Sequence, residues 1–143
     1  MFNIKNKFFK ALTEGDIEKV KSILNTNKKL LNTQDNCGWT PLHWSVSIGN
    51  IEMTKLFISM GAKINTKANM GESPLHLAHL LEVAELLISK GAEVNSKDNT
   101  GLTPLDLAMV EGNIELVEFL LTKSGLKQKG KIMPAEGTNA KWN

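Results

Sequence analysis

Arginine is missing from this chain of 143 residues, whose 17 strongly basic side chains are all lysines. The planar guanidinium group of arginine makes paired hydrogen bonds to phosphates and guanine edges, and lysine does not reproduce them. The net charge is +3 over residues 1–10, −4 over 11–124 and +3 over 125–143. Because a nucleic-acid-binding domain concentrates basic charge on one face, this distribution argues against specific recognition of nucleic acid.

Cysteine and long apolar runs are also scarce. Cys37 is the single cysteine, which excludes an internal disulfide framework. No segment approaches the roughly 18 apolar residues of a transmembrane helix, and lysines interrupt residues 1–10 too often for a secretory signal. We therefore expect a cytoplasmic protein, although delivery by a non-classical route stays open.

A short motif recurs along the chain. Thr-Pro-Leu-His at residues 40–43 returns as Ser-Pro-Leu-His at 73–76 and as Thr-Pro-Leu-Asp at 103–106, with spacings of 33 and 30 residues. A period of this length indicates a repeat architecture, in which each unit buries its apolar face against its neighbours.

Each copy of the motif predicts a turn followed by two helices. The Asp-x-x-Gly segments ahead of it favour turns, since aspartate bonds nearby backbone N–H groups and glycine accepts positive φ. Thr40 is expected to cap the inner helix, with Pro41 at its first position and His43 reaching back to the cap. Gly49 and Gly112 are expected to end inner helices, and apolar residues at helical spacing then predict outer helices.

The pattern Asp-x-x-Gly-x-Thr-Pro-Leu-His, followed by Gly-Asn-Ile-Glu and Gly-Ala-x-x-Asn, resembles the ankyrin repeat. The resemblance implies an all-α solenoid of about four helix-turn-helix units with short β-hairpin loops. We place an ankyrin-repeat domain at residues 1–124, with a cap at 3–32 and repeats at about 35–67, 68–97 and 98–124. Residues 125–143 are predicted to form a basic, flexible tail that contains an isolated Trp142.

The second full repeat is three residues shorter than the first and lacks the Gly-Asn pair between its helices. Three residues correspond to ~4.5 Å of helix. We hypothesise that its inner helix loses most of a turn and leaves a dip in the concave face, with His79 at the edge. The alternative is a deletion tolerated in a surface connection.

Residues suited to catalysis or metal binding are few. The ankyrin resemblance gives His43 and His76 a structural role, and a zinc site would need three or four converging ligands. Cys37 lies in a turn without a neighbouring cationic cluster to activate it. The sequence contains no phosphate-binding glycine loop, nucleophile elbow or His-Glu-x-x-His motif. We predict no enzyme activity, no catalytic residue, no metal and no cofactor.

The resemblance implies that a partner binds the hairpin tips and inner helices, which form the concave face of a solenoid. Together with His79 from the shortened repeat, the candidate residues are Asn36, Cys37, Trp39, Ser47, Ile48, Asn69, Met70, Glu72, Asn99, Thr100, Leu102, Val110 and Glu111. The apolar members would form a strip with Trp39 as an anchor. The alternative is that Trp39 and Leu102 pack on a neighbouring hairpin. Trp44 is predicted to lie in the core.

The leading interpretation is a non-catalytic protein–protein interaction module or scaffold, expected to be monomeric, whose partner is a protein of open identity. One alternative is an electrostatic binder of nucleic acid or anionic surfaces through the lysine-rich termini, with affinity that falls steeply with salt. Another is an effector-type protein that acts on host proteins by binding. We expect nearly two-state unfolding and faster amide exchange at residues 78–83 than at 105–109.

Overall fold

The computed structural model describes residues 3–128 and 131–132, which contain seven α-helices. Inner and outer helices pack in pairs: α1 (Ile4–Thr13) with α2 (Ile17–Thr26), α3 (Pro41–Ile48) with α4 (Ile51–Ser59), and α6 (Pro104–Glu111) with α7 (Ile114–Ser124). In the remaining unit a 3-10 helix, Pro74–Leu77, precedes α5 (Leu81–Ser89), and another 3-10 helix, Lys28–Asn32, follows α2. This order confirms the predicted solenoid of four helical units. Within the described ranges, no helix is long and apolar enough to cross a membrane.

The inner helices begin and end where the repeated motif predicted. Thr40 caps α3 and Thr103 caps α6, each within a reciprocal capping box. In the first of these, Thr40 Oγ1 accepts from the His43 N–H at 3.3 Å while His43 Nδ1 accepts from the Thr40 N–H at 3.1 Å. Both helices end at a glycine in the left-handed region, Gly49 with φ 82° and Gly112 with φ 70°, which other residues rarely adopt.

A single apolar core runs through the stack of units. At its N-terminal end Phe8 of α1 meets Phe57 of α4 edge to face, with ring centroids 6.5 Å apart. The buried members along the rest of the stack include Leu12, Leu24, Leu42, Val46, Met53, Val83, Leu87, Leu116 and Leu120. Each unit therefore depends on its neighbours to cover its apolar side.

The predicted β-hairpin loops of the repeats, at residues 35–39, 68–72 and 98–102, are turns without strands. Each turn spans five residues and is closed by a backbone bond such as that from the Asp35 N–H to the Trp39 carbonyl, at 2.9 Å. Asp35 Oδ1 also accepts from the Cys37 and Trp39 N–H groups at 2.9 and 3.0 Å. So tight a turn leaves no length for a ladder of strand bonds.

Successive turns bond to one another along the stack. The Asn69 N–H donates to the Cys37 carbonyl at 3.0 Å, and the Asn99 N–H donates to the Met70 carbonyl at 2.9 Å. Gly38 is required for this approach, because a Cβ at that position would lie 2.7 Å from the Asn69 backbone nitrogen. The turns are therefore held in register by their main chains.

The inner helix of the second full repeat is shortened, as the sequence predicted. It is a four-residue 3-10 helix, whereas α3 and α6 have eight residues each. Ala78 and Leu80 have extended backbone, with ψ of 128° and 131°, so residues 78–80 run directly into α5. The three-residue deletion thus removes a helical turn.

The predicted basic tail lies mostly outside the described residues. Gly125 ends α7 in the left-handed conformation. Two short strands follow, β1 (Lys127–Gln128) and β2 (Lys131–Ile132), which pair antiparallel. The described part of residues 125–143 therefore contains a pair of short strands, and Trp142 lies outside the described residues.

Candidate protein-binding site

Histidines connect each turn to the next along the stack. His43 Nε2 donates to the Glu72 carbonyl at 2.9 Å, and His76 Nε2 donates to the Leu102 carbonyl at 2.9 Å. The direction follows from the other ring nitrogen, because Nδ1 accepts the backbone N–H of the helix-capping residue and so carries no proton. The predicted structural role of both histidines is confirmed.

The His43 ring is completely buried, with 0% of its surface exposed. Burial lowers the pKa of His43 from 6.5, because the imidazolium form loses its hydration. The bond to the Glu72 carbonyl and the charges of Glu72 and Asp35 act in the opposite direction, while His76 adds to the lowering. The neutral ring is the form that satisfies both of its hydrogen bonds.

Asp106 replaces histidine in the last repeat. Its Oδ2 accepts from the Thr103 N–H at 2.9 Å and from the Thr103 hydroxyl at 3.0 Å, so the capping function is kept. A carboxylate has no N–H to donate to a further turn. Histidine therefore occupies this position in the two repeats that are followed by another repeat, and aspartate occupies it in the last one.

The turn-tip candidates form one continuous exposed edge. Asn69 Nδ2 donates to the Asn36 carbonyl at 2.9 Å, and Asn99 Nδ2 donates to the Asn69 carbonyl at 3.1 Å. Met70 is 62% exposed at the centre of this edge. The other exposed candidates there are Cys37 and Thr100. The structure thus brings the predicted tip residues of all three repeats together.

The Asp98 carboxylate stabilises the last turn. Asp98 Oδ1 accepts from the Thr100 hydroxyl at 2.7 Å, from the Leu102 N–H at 3.0 Å and from the Thr100 N–H at 2.8 Å. These bonds favour the charged form, so they lower the pKa of Asp98. Leu102 is half-buried under this turn, so it presents less surface than the tip residues beside it.

Trp39 packs against the next repeat. Its Nε1 donates to Glu72 Oε2 at 3.0 Å, and its ring stacks on His43 with centroids 6.2 Å apart. The other oxygen, Glu72 Oε1, is buried and has no hydrogen-bond partner among the described residues. Trp39 therefore packs on the neighbouring turn, as the alternative interpretation predicted. Its side chain is only half-buried, so part of the ring stays accessible to a partner.

Trp44 was predicted to lie in the core, and the structure corrects this prediction. The ring packs on the core but is only half-buried, and it lines a depression of ≈ 340 Å³ with Phe9 and Asp35. Trp44 Nε1 donates to Asp35 Oδ2 at 2.8 Å, and Trp39 meets the ring edge to face at 4.8 Å. An indole N–H needs an acceptor when it is buried, and Asp35, which is itself only half-buried, supplies that acceptor at the edge of the core.

The inner-helix candidates lie near the ends of α3 and α6. Ile48 is 44% exposed and Val110 is 79% exposed, and Glu111 beside it is exposed as well. Ser47 is partly buried. The two helix ends are therefore apolar and accessible on either side of the shortened repeat.

His79 lies on the extended segment that replaces the lost helical turn. Its ring covers Gly49 at the end of α3, and its Nε2 lies 3.1 Å from the Ser47 carbonyl. From the other side, Asn113 Nδ2 donates to the His79 carbonyl at 2.9 Å. His79 thus bridges the repeats before and after it, at the position predicted for the edge of the dip.

Reactive chemistry is not concentrated at this site. Cys37 is a free, exposed thiol in a turn. Over residues 3–128 and 131–132, no group of three or more His, Cys, Asp or Glu side chains is arranged to hold a metal ion. The arrangement offers contact surface and hydrogen-bonding groups.

Sequence reasoning missed a second surface feature. A depression of ≈ 600 Å³ is lined by Ile51, Leu80, Leu81, Glu82, Glu85 and Glu115. These residues lie at the beginnings of outer helices, the end of each unit opposite to the turns. An alignment of the outer helices gives a partial signal, since Glu85 occupies the position of Lys21 in α2 and Lys55 in α4, although α7 also has a glutamate there, Glu118.

Comparison with known proteins finds one family along most of the chain. The family model described as ankyrin repeats (3 copies) matches residues 8–98 and 79–131. Human protein phosphatase 1 regulatory subunit 27 is 37% identical over 71 residues, and a Caenorhabditis elegans homologue of transient receptor potential cation channel subfamily A member 1 is 33% identical over 76 residues. The mouse 2-5A-dependent ribonuclease is 32% identical over 73 residues.

These relatives are matched over part of their length only. The match covers 50% of this chain and 46% of the human phosphatase subunit. It covers 53% of this chain and 6% of the worm channel, and 51% of this chain and 10% of the mouse ribonuclease. What those proteins do as wholes is therefore not carried over from the likeness.

Proposed function

Since the chain belongs to the ankyrin-repeat family, we propose that it is a non-catalytic module that binds a protein partner through its turn tips and inner helices. Ankyrin repeats generally mediate protein–protein interaction, and stacked repeats present an extended surface suited to it. We also propose a monomer that works in the cytoplasm, in keeping with its single cysteine.

One observation carries the choice of surface. The three turns are bonded main chain to main chain, so their exposed tip residues are held in fixed positions before a partner arrives. A surface that is ordered in advance loses little conformational entropy on binding. Met70 and Val110 are the most exposed apolar candidates, and asparagines surround Met70 with hydrogen-bonding groups.

The test is a comparison of two double variants. Met70→Glu/Val110→Glu places charge on the proposed surface, and Ser22→Glu/Thr122→Glu adds the same charge at exposed positions of outer helices α2 and α7. Partners captured from a lysate by the wild type would be identified by mass spectrometry, and the affinity of each for purified variants would then be measured.

We expect the first variant to weaken partner binding by at least about tenfold, since exposed apolar anchors dominate interfaces. The control variant should bind as the wild type does. Equal affinity of both variants would exclude this surface, and loss in both would indicate unfolding, which circular dichroism would reveal.

An electrostatic function is the second candidate. A depression of ≈ 400 Å³ on the N-terminal unit is lined by Asn6, Lys7, Lys10 and Lys19. This proposal requires binding to anionic vesicles or DNA that weakens strongly between low and moderate salt. Failure to bind vesicles or DNA even at low salt would contradict this second candidate. Action on host proteins as an effector would use the same protein-binding surface.

A further inference from the structure

The shortened repeat changes how its outer helix begins. The other outer helices start after a polar cap whose side chain accepts a backbone N–H: Asp16 at 3.1 Å, Asn50 at 3.0 Å and Asn113 at 3.4 Å. Leu80 holds this position in α5, and none of the described side chains caps that helix. The deletion of Gly-Asn therefore replaces a polar cap with an aliphatic side chain that is 37% exposed.

Leu80 is part of the ≈ 600 Å³ depression at the beginnings of the outer helices. Three aliphatic side chains and three glutamates line it, and no basic side chain is among the described residues that do so. The two ion pairs found in the described ranges lie in the first unit, between Lys10 and Glu14 and between Lys21 and Glu18. Among the described residues, no ion pair involves the three glutamates that line the depression.

Helix geometry accounts for only part of this charge. Glu82 and Glu115 are the second residues of α5 and α7, where a carboxylate interacts favourably with the positive end of the helix. Glu85 is the fifth residue of α5, beyond the first turn, where that interaction fades. The equivalent residues are Lys21 in α2, Lys55 in α4 and Glu118 in α7, so the fold accepts either charge at this position and does not itself require a glutamate there.

We propose that this depression is a second docking surface, for a segment of a partner protein in which aliphatic side chains are flanked by lysine or arginine. The aliphatic groups would contact Ile51, Leu80 and Leu81, and the basic groups would face the glutamates. The inference rests on the proposed protein-binding function and adds a surface at the opposite end of each unit from the turns. One partner is then able to contact both ends.

The test uses defined peptides and therefore does not depend on capture of a natural partner. A short fluorescein-labelled peptide of alternating leucine and lysine would be titrated with the full chain by fluorescence anisotropy. Two matched peptides replace its lysines by glutamates or its leucines by serines. We expect binding of the first peptide only, with an affinity that falls as salt screens the charges.

Three variants locate the binding. Glu85→Lys should weaken the peptide by about tenfold or more, because it reverses a charge at the rim. Leu80→Asn should weaken binding while it raises the thermal midpoint, because it removes the aliphatic contact and restores a helix cap. Glu93→Lys is the matched control, since Glu93 is exposed in the loop beyond the other end of α5.

The outcomes separate this inference from the proposed function. Equal weakening by Glu85→Lys and Glu93→Lys would show general attraction to an acidic body and overturn the site. Unchanged binding by Leu80→Asn would do the same. Binding that occurs only after removal of residues 133–143 would assign the depression to the chain's own C-terminal segment. Met70→Glu alters the turn end only and should leave peptide affinity unchanged, so a failure of the proposed turn surface is detected separately from a failure of the depression.

Discussion

At the scale of single residues, the side chain three positions after each inner-helix cap has two roles in the first two full repeats. It completes the cap through Nδ1, and it donates through Nε2 to a carbonyl of the next turn, 29 residues away for His43 and 26 for His76. In the last full repeat Asp106 performs the first role alone. Histidine is selected where a neutral ring must accept on one side and donate on the other.

His43 makes the stability of the protein depend on pH. Its pKa is lowered by burial in the folded state, so the unfolded chain binds a proton near pH 6.5 while the folded ring stays neutral. The contribution of His43 to the free energy of unfolding is therefore complete above pH 6.5 and is lost as the pH falls toward the folded pKa. The slope is at most about 1.4 kcal/mol per pH unit.

Urea unfolding at pH 7.5 and 5.5 measures this effect. We expect the wild type to be less stable at pH 5.5 than at pH 7.5, and His43→Gln, although less stable at pH 7.5, to show a smaller loss. Comparable pH dependence in both proteins would show that other groups cause it.

At the scale of elements, the junction of residues 78–80 has fewer backbone hydrogen bonds than the helical turn that it replaces. The extended segment replaces a helical turn, and among the described residues the His79 and Leu80 N–H groups have no hydrogen-bond acceptor. By contrast α6 is a two-turn helix with a capping box and a glycine end. Local opening therefore requires less free energy at this junction than in α6.

Hydrogen exchange followed by mass spectrometry tests this difference. We expect faster exchange at residues 78–83 than at 105–109, and Leu80→Asn should slow exchange at the start of α5, because its side chain is positioned to cap that helix. Equal protection of the two segments would show that they open together in one cooperative unit.

Several elements were predictable because their causes are local. The Thr-Pro pairs, the following histidines and the glycines of the left-handed region determine where inner helices begin and end, and the missing three residues predict the shortened one. The half-burial of Trp44 was not predictable, since it depends on Asp35 at its indole N–H. The depression was hidden for a similar reason, because Ile51, Leu80 and Glu115 come from three repeats.

At the scale of the whole molecule, contacts are made between neighbouring units, so stability is a sum of unit and interface contributions. Asparagines after the outer helices supply part of each interface. Asn32 Oδ1 accepts from the Lys63 N–H at 2.9 Å, and Asn95 Nδ2 donates to the Ser124 carbonyl at 3.3 Å. Asn65 makes two such bonds, to the Glu93 N–H at 2.9 Å and to the Gly91 carbonyl at 3.0 Å.

Asn65 therefore links the first full repeat to the shortened one, and its loss should divide the molecule. Two hydrogen bonds contribute about 1–3 kcal/mol together, a large share of the stability of a small domain. In a Trp142→Phe background the fluorescence of Trp39 and Trp44 reports on the first full repeat, and circular dichroism reports on all helices. The unaltered background protein should show coincident urea transitions by both signals, as a two-state unfolder does.

We expect Asn65→Ala to separate the two signals, with helix loss at lower urea than the tryptophan change, because the C-terminal repeats lose support while the first repeat keeps the N-terminal unit. Asn95→Ala is the matched control, since it removes one long bond at the end of the stack and should shift both transitions slightly together. Coincident transitions in Asn65→Ala would mean that apolar packing alone couples the repeats. Cooperativity would then be insensitive to the asparagine bonds, and the shortened repeat would not be the weak interface of the molecule.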